Sequence, residues 1–282
     1  MTATPEVLLD GLVFPEGPRW HGGRFWFSDM HAHRVITIDG SGHAETVVEL
    51  DDRPSGLGWL PGGELLIVAM GARKLLRLER SHLVEHADLS ELAPADCNDM
   101  VVDSSGRAYV GNFGFDFAGG AAQKSTNIIA VEPDGRAWVA AEDLQFPNGS
   151  VITPDGGTLI VGETMGRRLT AFDIGREGKL SNRRVFAEVR GAFPAGLCLD
   201  AEGAVWVASP PTSEFIRVRD GGEVAERIPV PGKQAVACML GGDDRKTLYL
   251  CTAIGTNDEL RLGKTKGLIE TVRVEVAGAG LP

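Results

Sequence analysis

Short runs in which apolar and polar residues alternate recur along the whole chain, and Gly- or Asp-rich turns join them in pairs. Alternation with a period of two directs one side chain into a core and the next towards solvent, which is typical of a half-buried strand. Two such runs joined by a short Gly/Asp turn predict a β-hairpin. Six segments have this pattern: 12–29, 52–70, 95–113, 145–163, 192–210 and 235–252.

These hairpins repeat at a regular distance. The last apolar residue before the turn is Trp20 in the first hairpin and Leu240 in the sixth, and consecutive equivalents lie 39 to 50 residues apart. Further strand-like runs follow most hairpins, and units of this length with about four strands each are typical of propeller blades. We therefore predict an all-β, six-bladed β-propeller that occupies residues 1–282 as one domain. A stacked sandwich does not require so long a period.

Two other segments bear on this architecture. The strand-like ends PEVLL (5–9) and ETVRVEV (270–276) can pair and close the ring, which removes an exposed strand edge. The stretch 82–94 is the best candidate for helix, and a helical turn within a loop is one interpretation of it.

The repeat also selects a candidate site. Four residues before each alignment point stand Glu16, Ser55, Asn98, Asn148, Ala195 and Val236. The innermost strand of every blade lines the channel of a propeller, so these side chains should surround one end of it. One Asn beside Gly or Asp is usually an ordinary turn residue. Three oxygen donors at equivalent positions, Glu16, Asn98 and Asn148, instead favour a divalent-cation site, with calcium first and magnesium, manganese or zinc as alternatives.

Composition narrows the partners. The chain has 282 residues and a formal net charge of -11, without a basic stripe, so nucleic acid is an unexpected partner. We expect no membrane span and no secretory signal, because the chain lacks a long apolar run and a basic, then apolar, start. The four cysteines form no CxxC pair and are interpreted as buried core residues, which fits a reducing cytoplasm.

Several motifs resemble one known family. FPEGPRW, NDMVVDSSGRAYVGN, FPNG and GLCLDAEGAVWVA are similar to motifs of the senescence-marker-protein/gluconolactonase/luciferin-regenerating-enzyme family, from about Leu9 to Thr252. That resemblance implies a six-bladed propeller with a divalent metal in its channel, and mostly lactonase or related hydrolase activity. It implies that Glu16 and Asn148 bind the metal, and that Asn98 binds either metal or substrate. Asp116 falls near a loop where some members carry a substrate-binding carboxylate.

Two positions depart from the family pattern. Ala195 stands where the family usually has Asp, and an alanine can neither bind a cation nor act as a base. Asp96 stands where related lactonases often have Arg, and it either restores charge to the site or belongs to a surface loop. The catalytic candidates are therefore Glu16, Asp96 and Asp116.

Substrate-binding candidates are Asn98, Asp116 and His31, although His31 and its neighbour His33 are also consistent with ordinary loop histidines. The Gly- and Ala-rich stretch 115–126 resembles a mobile lid over the channel. Glu163 is interpreted as a supporting, structural carboxylate.

Two function hypotheses follow. The first is a metal-dependent hydrolase that opens small lactones by attack of a metal-activated water on the carbonyl carbon. The second is a propeller that binds metal or a small ligand with weak or no turnover, because the usual Asp is Ala195. A protein-interaction scaffold is a weaker alternative, since it has no need of Glu and two Asn inside the channel. The substrate is a small lactone-like molecule, and the sequence does not specify the oligomeric state.

Overall fold

The computed structural model describes residues 4–280, and across that range the chain forms 24 β-strands and one short α-helix. The strands are β1 Glu6–Leu12, β2 Pro15–His21, β3 Arg24–Asp29, β4 Arg34–Ile38, β5 Ala44–Glu49, β6 Pro54–Trp59, β7 Leu65–Ala69, β8 Lys74–Glu79, β9 His82–Asp88, β10 Cys97–Val102, β11 Ala108–Asn112, β12 Thr126–Val131, β13 Ala137–Leu144, β14 Pro147–Ile152, β15 Thr158–Glu163, β16 Arg168–Ile174, β17 Leu180–Glu188, β18 Leu197–Leu199, β19 Val205–Ser209, β20 Glu214–Val218, β21 Val224–Pro229, β22 Gln234–Gly241, β23 Thr247–Ile254 and β24 Lys266–Arg273. Helix α1 is Asn257–Arg261.

These strands form six four-stranded antiparallel sheets, the blades of a six-bladed β-propeller. Blade 1 contains β2–β5, blade 2 β6–β9, blade 3 β10–β13, blade 4 β14–β17 and blade 5 β18–β21. Blade 6 contains β22–β24 and, as its outermost strand, β1. The predicted all-β propeller is therefore confirmed.

Aspartates at the ends of the inner strands shape the hairpin turns. The Asp103 carboxylate accepts hydrogen bonds from the backbone N–H groups of Ser105 and Arg107, at 2.8 and 3.0 Å. Asp200 does the same for Glu202 and Ala204, at 2.9 and 3.1 Å. Such Asx-type turns offer the backbone local partners where the strand ladder stops. The repeated Asp-x-x-Gly sequences of blades 3 and 5 therefore encode the reversal of the chain.

The propeller closes through the strand pairing that was predicted between segments 5–9 and 270–276. Strand β1 lies antiparallel to β24, with Glu6 opposite Thr271 and Val7 opposite Glu270. Blade 6 thereby gains a fourth strand, and β24 is not left as an open edge.

The stretch 82–94 contains a strand as well as the expected turn. Residues 82–88 are strand β9, paired with β8 from Glu79↔His82 to Lys74↔Asp88. The blade requires an outer strand at this point, and its pairing with β8 overrides the weak local preference of the sequence. In the loop that follows, the N–H groups of Leu92 and Ala93 both donate to the Leu89 carbonyl, at 3.0 and 2.8 Å, so a single helical turn forms there.

Three smaller findings complete the description of the fold. All four cysteines are buried free thiols, as the sequence predicted. Helix α1, which was not predicted, begins with a capping box in which Thr256 and Glu259 satisfy each other's backbone N–H groups. Between residues 4 and 280, no helix has the length and apolar character needed to cross a membrane.

Candidate functional site

Six buried residues, one from each blade, occupy the predicted positions at the start of the inner strands. They are Glu16, Ser55, Asn98, Asn148, Ala195 and Val236, and we call them the ring. Contacts between successive blades hold them at one level. The Nδ2 of Asn98 donates to the Pro147 carbonyl at 3.3 Å. The N–H of Gly149 donates to the Ala195 carbonyl at 3.0 Å, and the N–H of Gly196 donates to the Val236 carbonyl at 3.0 Å.

The glycines that follow Glu16 and Asn148 in sequence allow neighbouring inner strands to approach each other closely. A Cβ at Gly17, whose φ is +55°, would lie 2.4 Å from the Ser55 carbonyl oxygen. A Cβ at Gly149 would lie 2.6 Å from the Ala195 carbonyl oxygen. Glycine is therefore required by backbone approach at these positions, and the E-G and N-G pairs of the motifs have a structural reason.

Polar residues at the ends of the second strands fix the segments that lead into the ring. Asp29 Oδ1 accepts the Phe14 N–H at 2.9 Å, and Ser209 Oγ accepts the Phe193 N–H at 3.0 Å. In blade 4, Glu163 Oε2 accepts the Gln145 N–H at 2.7 Å and also pairs with Arg168. The structural role expected for Glu163 matches these contacts. Asp29 and Ser209 were missed, although each is the polar last residue of a largely buried strand.

Glu16 is the carboxylate of the ring. It is buried, and its Oε2 accepts the Gly17 N–H at 2.9 Å. Burial, and after it the nearby Asp99 carboxylate, raise the pKa of Glu16 to about 8. An environment that disfavours the carboxylate anion to this degree favours a compensating cation beside it.

Asn148 has an amide oxygen without a partner. Its Nδ2 donates to Thr164 Oγ1 at 3.2 Å, and the Thr164 hydroxyl donates to the Pro194 carbonyl at 2.6 Å. Asn148 Oδ1 is buried and has no hydrogen-bond partner among residues 4–280, and the same is true of Ser55 Oγ. Buried polar oxygens are normally satisfied, so two such atoms at ring positions call for a ligand.

The donor set fits a hard cation rather than a soft one. Glu16, Asn98 and Asn148 offer carboxylate and amide oxygens, which calcium and magnesium prefer. No group of three or more His, Cys, Asp or Glu side chains suited to a metal occurs in the described part of the chain. A cation at the ring would therefore rely on amide oxygens in addition to its one carboxylate.

A buried ion pair below the ring was missed by the sequence analysis. Arg19 and Asp99 are 2% and 3% exposed, and Arg19 Nη2 lies 2.6 Å from Asp99 Oδ1. Arg19 also donates to the carbonyls of Leu57, at 2.8 Å from Nε, and Met100. Its guanidinium thus connects the inner strands of blades 1, 2 and 3. Both residues belong to the motifs PRW and ND, but they are 80 residues apart in sequence, so the motifs alone do not indicate that they pair.

The other predicted site residues lie outside the ring. Asp96 is partly exposed and bound to Arg53 at 2.6 Å. Asp116 is exposed in the loop between β11 and β12, and its Oδ1 accepts the Gly119 N–H at 2.7 Å. The side chains of Asp96 and Asp116 thus bond to a rim arginine and to their own loop, not to a ring residue.

His31 lies in a one-turn 3-10 helix at residues 30–32, directly after β3. Because Pro15 pairs with Asp29 at the end of that strand, His31 stands at the same end of blade 1 as Glu16. Its ring centroid is 6.1 Å from that of Phe14. Burial lowers the pKa of His31, and the positive charge of Arg53 lowers it further. His33 follows in a left-handed conformation with φ 58°.

Comparisons with known proteins give related matches. A model of the SMP-30/Gluconolactonase/LRE-like region matches residues 14–254. A 6-deoxy-6-sulfogluconolactonase of Pseudomonas putida is 28% identical over 288 aligned residues, which cover 98% of this chain and 96% of the relative. A pentonolactonase of Haloferax volcanii is 26% identical, with coverage of 100% and 97%. The crystal structure of a calcium-binding protein, regucalcin, from Agrobacterium tumefaciens has a TM-score of 0.83 at 23% identity and covers 99% of this chain and 97% of its own. This last likeness is one of fold.

Proposed function

We propose that this chain, which belongs to the SMP-30/gluconolactonase/LRE-like family, is an enzyme that hydrolyses small lactones with the help of a divalent cation held at the ring. Two curated relatives that align over nearly their whole length are named as lactonases, which supports the reaction class. The family resemblance and the oxygen donors support the cation. Calcium is our first choice, and magnesium, manganese or zinc are alternatives.

The observation that carries this proposal is the unsatisfied amide oxygen of Asn148 at one ring position, together with the buried, electrostatically disfavoured carboxylate of Glu16 at another. A protein interior rarely leaves a polar oxygen unpaired unless a ligand completes its contacts. We therefore propose Glu16, Asn98 and Asn148 as the residues that hold the cation. When bound, a divalent cation polarises the lactone carbonyl and lowers the pKa of a water.

Hydrolysis adds the oxygen of a water to the carbonyl carbon, breaks the ester C–O bond of the lactone and yields a hydroxy acid. The attacking water must lose a proton, and Glu16 is the one predicted catalytic carboxylate that lies in the ring. We therefore assign the proton acceptor to Glu16. We propose that Asp116 and His31 bind the substrate, and that Asn98 contacts it if the cation leaves that amide free; Asp96, the other catalytic candidate, is held by Arg53. Burial of the ring keeps bulk water from the reacting atoms.

The test is hydrolysis of a panel of lactones followed by acid release in a pH-stat. We expect turnover that a chelator abolishes and that added calcium restores. The Glu16→Gln variant should lose about a hundredfold or more in kcat/KM, because it removes the ring's only carboxylate. Glu177→Gln, in an exposed turn, is the matched control and should keep full activity. Activity that survives both the chelator and Glu16→Gln would overturn the cation mechanism.

A second candidate is a propeller that binds a cation or ligand without efficient turnover. The observation in its favour is Ala195, a buried methyl group at the ring position where the family usually has Asp. The Ala195→Asp variant separates the two candidates. If the unmodified protein hydrolyses no lactone and Ala195→Asp does, the second candidate is correct.

The remaining features of the proposal concern partners and location. The net charge of -11 supports a small-molecule substrate rather than a nucleic acid. Four buried free thiols support our prediction of the cytoplasm.

A further inference from the structure

Each of the first four blades places one residue at the same register directly after its second strand. The backbone N–H of this residue donates to a carbonyl in the same blade, that of the residue two positions before the blade's ring residue. The four are Met30 to Phe14 at 2.9 Å, Met70 to Arg53 at 3.0 Å, Phe113 to Asp96 at 2.9 Å and Thr164 to Phe146 at 3.1 Å. The repeat therefore makes Met30, Met70 and Phe113 the structural equivalents of Thr164.

The side chain at this register faces the ring. In blade 4 the hydroxyl of Thr164 contacts the amide of Asn148 at 3.2 Å. Met30 and Met70 are buried in one continuous apolar cluster with the ring residues Ala195 and Val236, and Phe113 packs against that cluster. The space beside the ring is therefore bordered by apolar side chains on blades 1, 2 and 3, where blade 4 has a hydroxyl. We call Met30, Met70 and Phe113 the apolar collar.

An aromatic cluster extends the collar towards solvent. The rings of Phe113 and Phe146 stack at 4.4 Å with an interplanar angle of 15°. Phe117 meets both edge-on, at 6.0 and 5.5 Å between centroids. Phe146 lies two residues before Asn148, and Phe117 is 36% exposed. These three phenylalanines, which we call the aromatic wall, form one cluster that extends from buried Phe146, near Asn148, to partly exposed Phe117.

The polar side chains next to the collar already have partners. Arg53 is bound to Asp96, and the Thr164 hydroxyl is held between Asn148 and the Pro194 carbonyl. The unpartnered Asn148 Oδ1 is the oxygen that we assign to the cation. Hydroxyl groups of a substrate that lay against the collar itself would find no hydrogen-bond partner there, which is costly. An alkyl chain would instead bury apolar surface on the wall.

We propose that the substrate of this enzyme is a lactone that carries an alkyl substituent, and that Phe113, Phe117 and Phe146 bind that alkyl group. The inference rests on the proposed lactonase function and specifies its substrate class. It differs from the sugar-derived lactones that name the two curated relatives, a pentonolactonase and a 6-deoxy-6-sulfogluconolactonase.

The first experiment compares δ-decanolactone with glucono-δ-lactone, two six-membered lactones that differ in their substituents. Acid release is followed in a pH-stat with calcium present, and spontaneous hydrolysis is subtracted. We expect kcat/KM to favour δ-decanolactone by about tenfold or more, since each buried methylene adds to discrimination. A preference for glucono-δ-lactone overturns the inference and leaves the lactonase proposal intact. Hydrolysis of neither lactone overturns both.

The second experiment assigns the preference to the aromatic wall. Phe117 is partly exposed, so substitution there leaves the core packed. Phe117→Asn should raise KM for δ-decanolactone about fivefold, with kcat nearly unchanged, and Phe117→Leu should retain most of the binding. Val185→Ala, 47% exposed on the outer strand of blade 4, is the control and should have no effect. An equal change of both lactones' KM in Phe117→Asn, or no change, would exclude this role of the wall.

Discussion

Blades 1 to 4 and blades 5 and 6 build the same ring with opposite chemistry. The first four contribute Glu16, Ser55, Asn98 and Asn148, each with a side-chain oxygen, whereas the last two contribute Ala195 and Val236. The backbone contacts nevertheless continue around the ring, as in the Gly149 and Gly196 hydrogen bonds to those two carbonyls. The repeat therefore sets where a side chain stands, and the residue type alone decides whether that position can hold a cation.

The difference also concerns how each half is supported. On the polar side, the Arg19–Asp99 pair ties the inner strands of blades 1 to 3 together beneath the ring. On the other side, the Ala195 and Val236 side chains belong to a continuous apolar cluster. Charge fixes one half of the ring and close apolar packing fixes the other, so substitutions should affect the two halves differently.

The largest effect should come from breaking the buried pair. Asp99→Ala leaves the Arg19 guanidinium buried without its counter-charge, and we expect a loss of about 3–5 kcal/mol in the free energy of unfolding. Chemical denaturation measures this loss. The matched control is Asp220→Ala, which removes the half-exposed partner of Arg184 and should cost less than about 1 kcal/mol. Equal losses in the two variants would show that the pair does not support the polar half.

An intermediate effect is expected when the apolar half receives a charge. Ala195→Asp adds a carboxylate at a ring position, and we expect calcium to bind about tenfold more tightly, or about 1.4 kcal/mol. Isothermal titration calorimetry measures this directly, without dependence on turnover. Ala201→Asp, in the exposed turn after β18, is the control and should leave the affinity unchanged. Unchanged affinity in Ala195→Asp would place the cation away from the ring.

The smallest effect is expected from a comparison of two residues that accept a hydrogen bond from the segment before the ring. Glu163 in blade 4 and Ser209 in blade 5 both hold the segment before the ring, but only Glu163 titrates. Burial raises the pKa of Glu163, but hydrogen bonds from Arg168, Thr170 and the Gln145 N–H outweigh burial and hold it below its usual value.

Since the pKa is lowered on folding, the stabilisation by Glu163 is present above its unfolded pKa, about 4.5, and is lost as the pH falls through the lower folded value. Glu163→Gln should therefore flatten the fall in melting temperature between about pH 5 and 3. Ser209→Ala should leave the slope of that fall unchanged. A fall of the same steepness in Glu163→Gln would exclude Glu163 as its source.

The fold was largely predictable because every blade of a propeller has a similar sequence pattern, which recurs at a regular spacing. Alternation and Gly/Asp turns are local, and six similar hairpins at regular spacing give the blade number and the register of Glu16 and Asn148. The outer strand β9 was not predicted from 82–94, because the sequence pattern of an outer edge strand is weak and its pairing with β8 decides its structure.

The site was predictable only as far as the repeat extends. Equivalent positions identify the ring, but the Arg19–Asp99 pair joins different positions of blades 1 and 3, so no periodicity indicates it. The aromatic wall joins Phe113 and Phe117, after the second strand of blade 3, to Phe146, in the segment before the first strand of blade 4. The repeat gives the register of Phe113 and Phe146 but not the contact between their side chains, and Phe117 lies in a loop without an equivalent in the repeat. Contacts between non-equivalent positions require the three-dimensional structure.

The pairing of β1 with β24 has a consequence for biosynthesis. During synthesis residues 6–12 emerge before their partner strand 266–273, which follows roughly 250 residues later. Until then the nascent chain can complete its earlier blades, but its first strand has no partner and its last blade exposes an edge that invites aggregation. Chaperone binding should therefore concentrate on strand β1, and the propeller can close only after strand β24 has emerged.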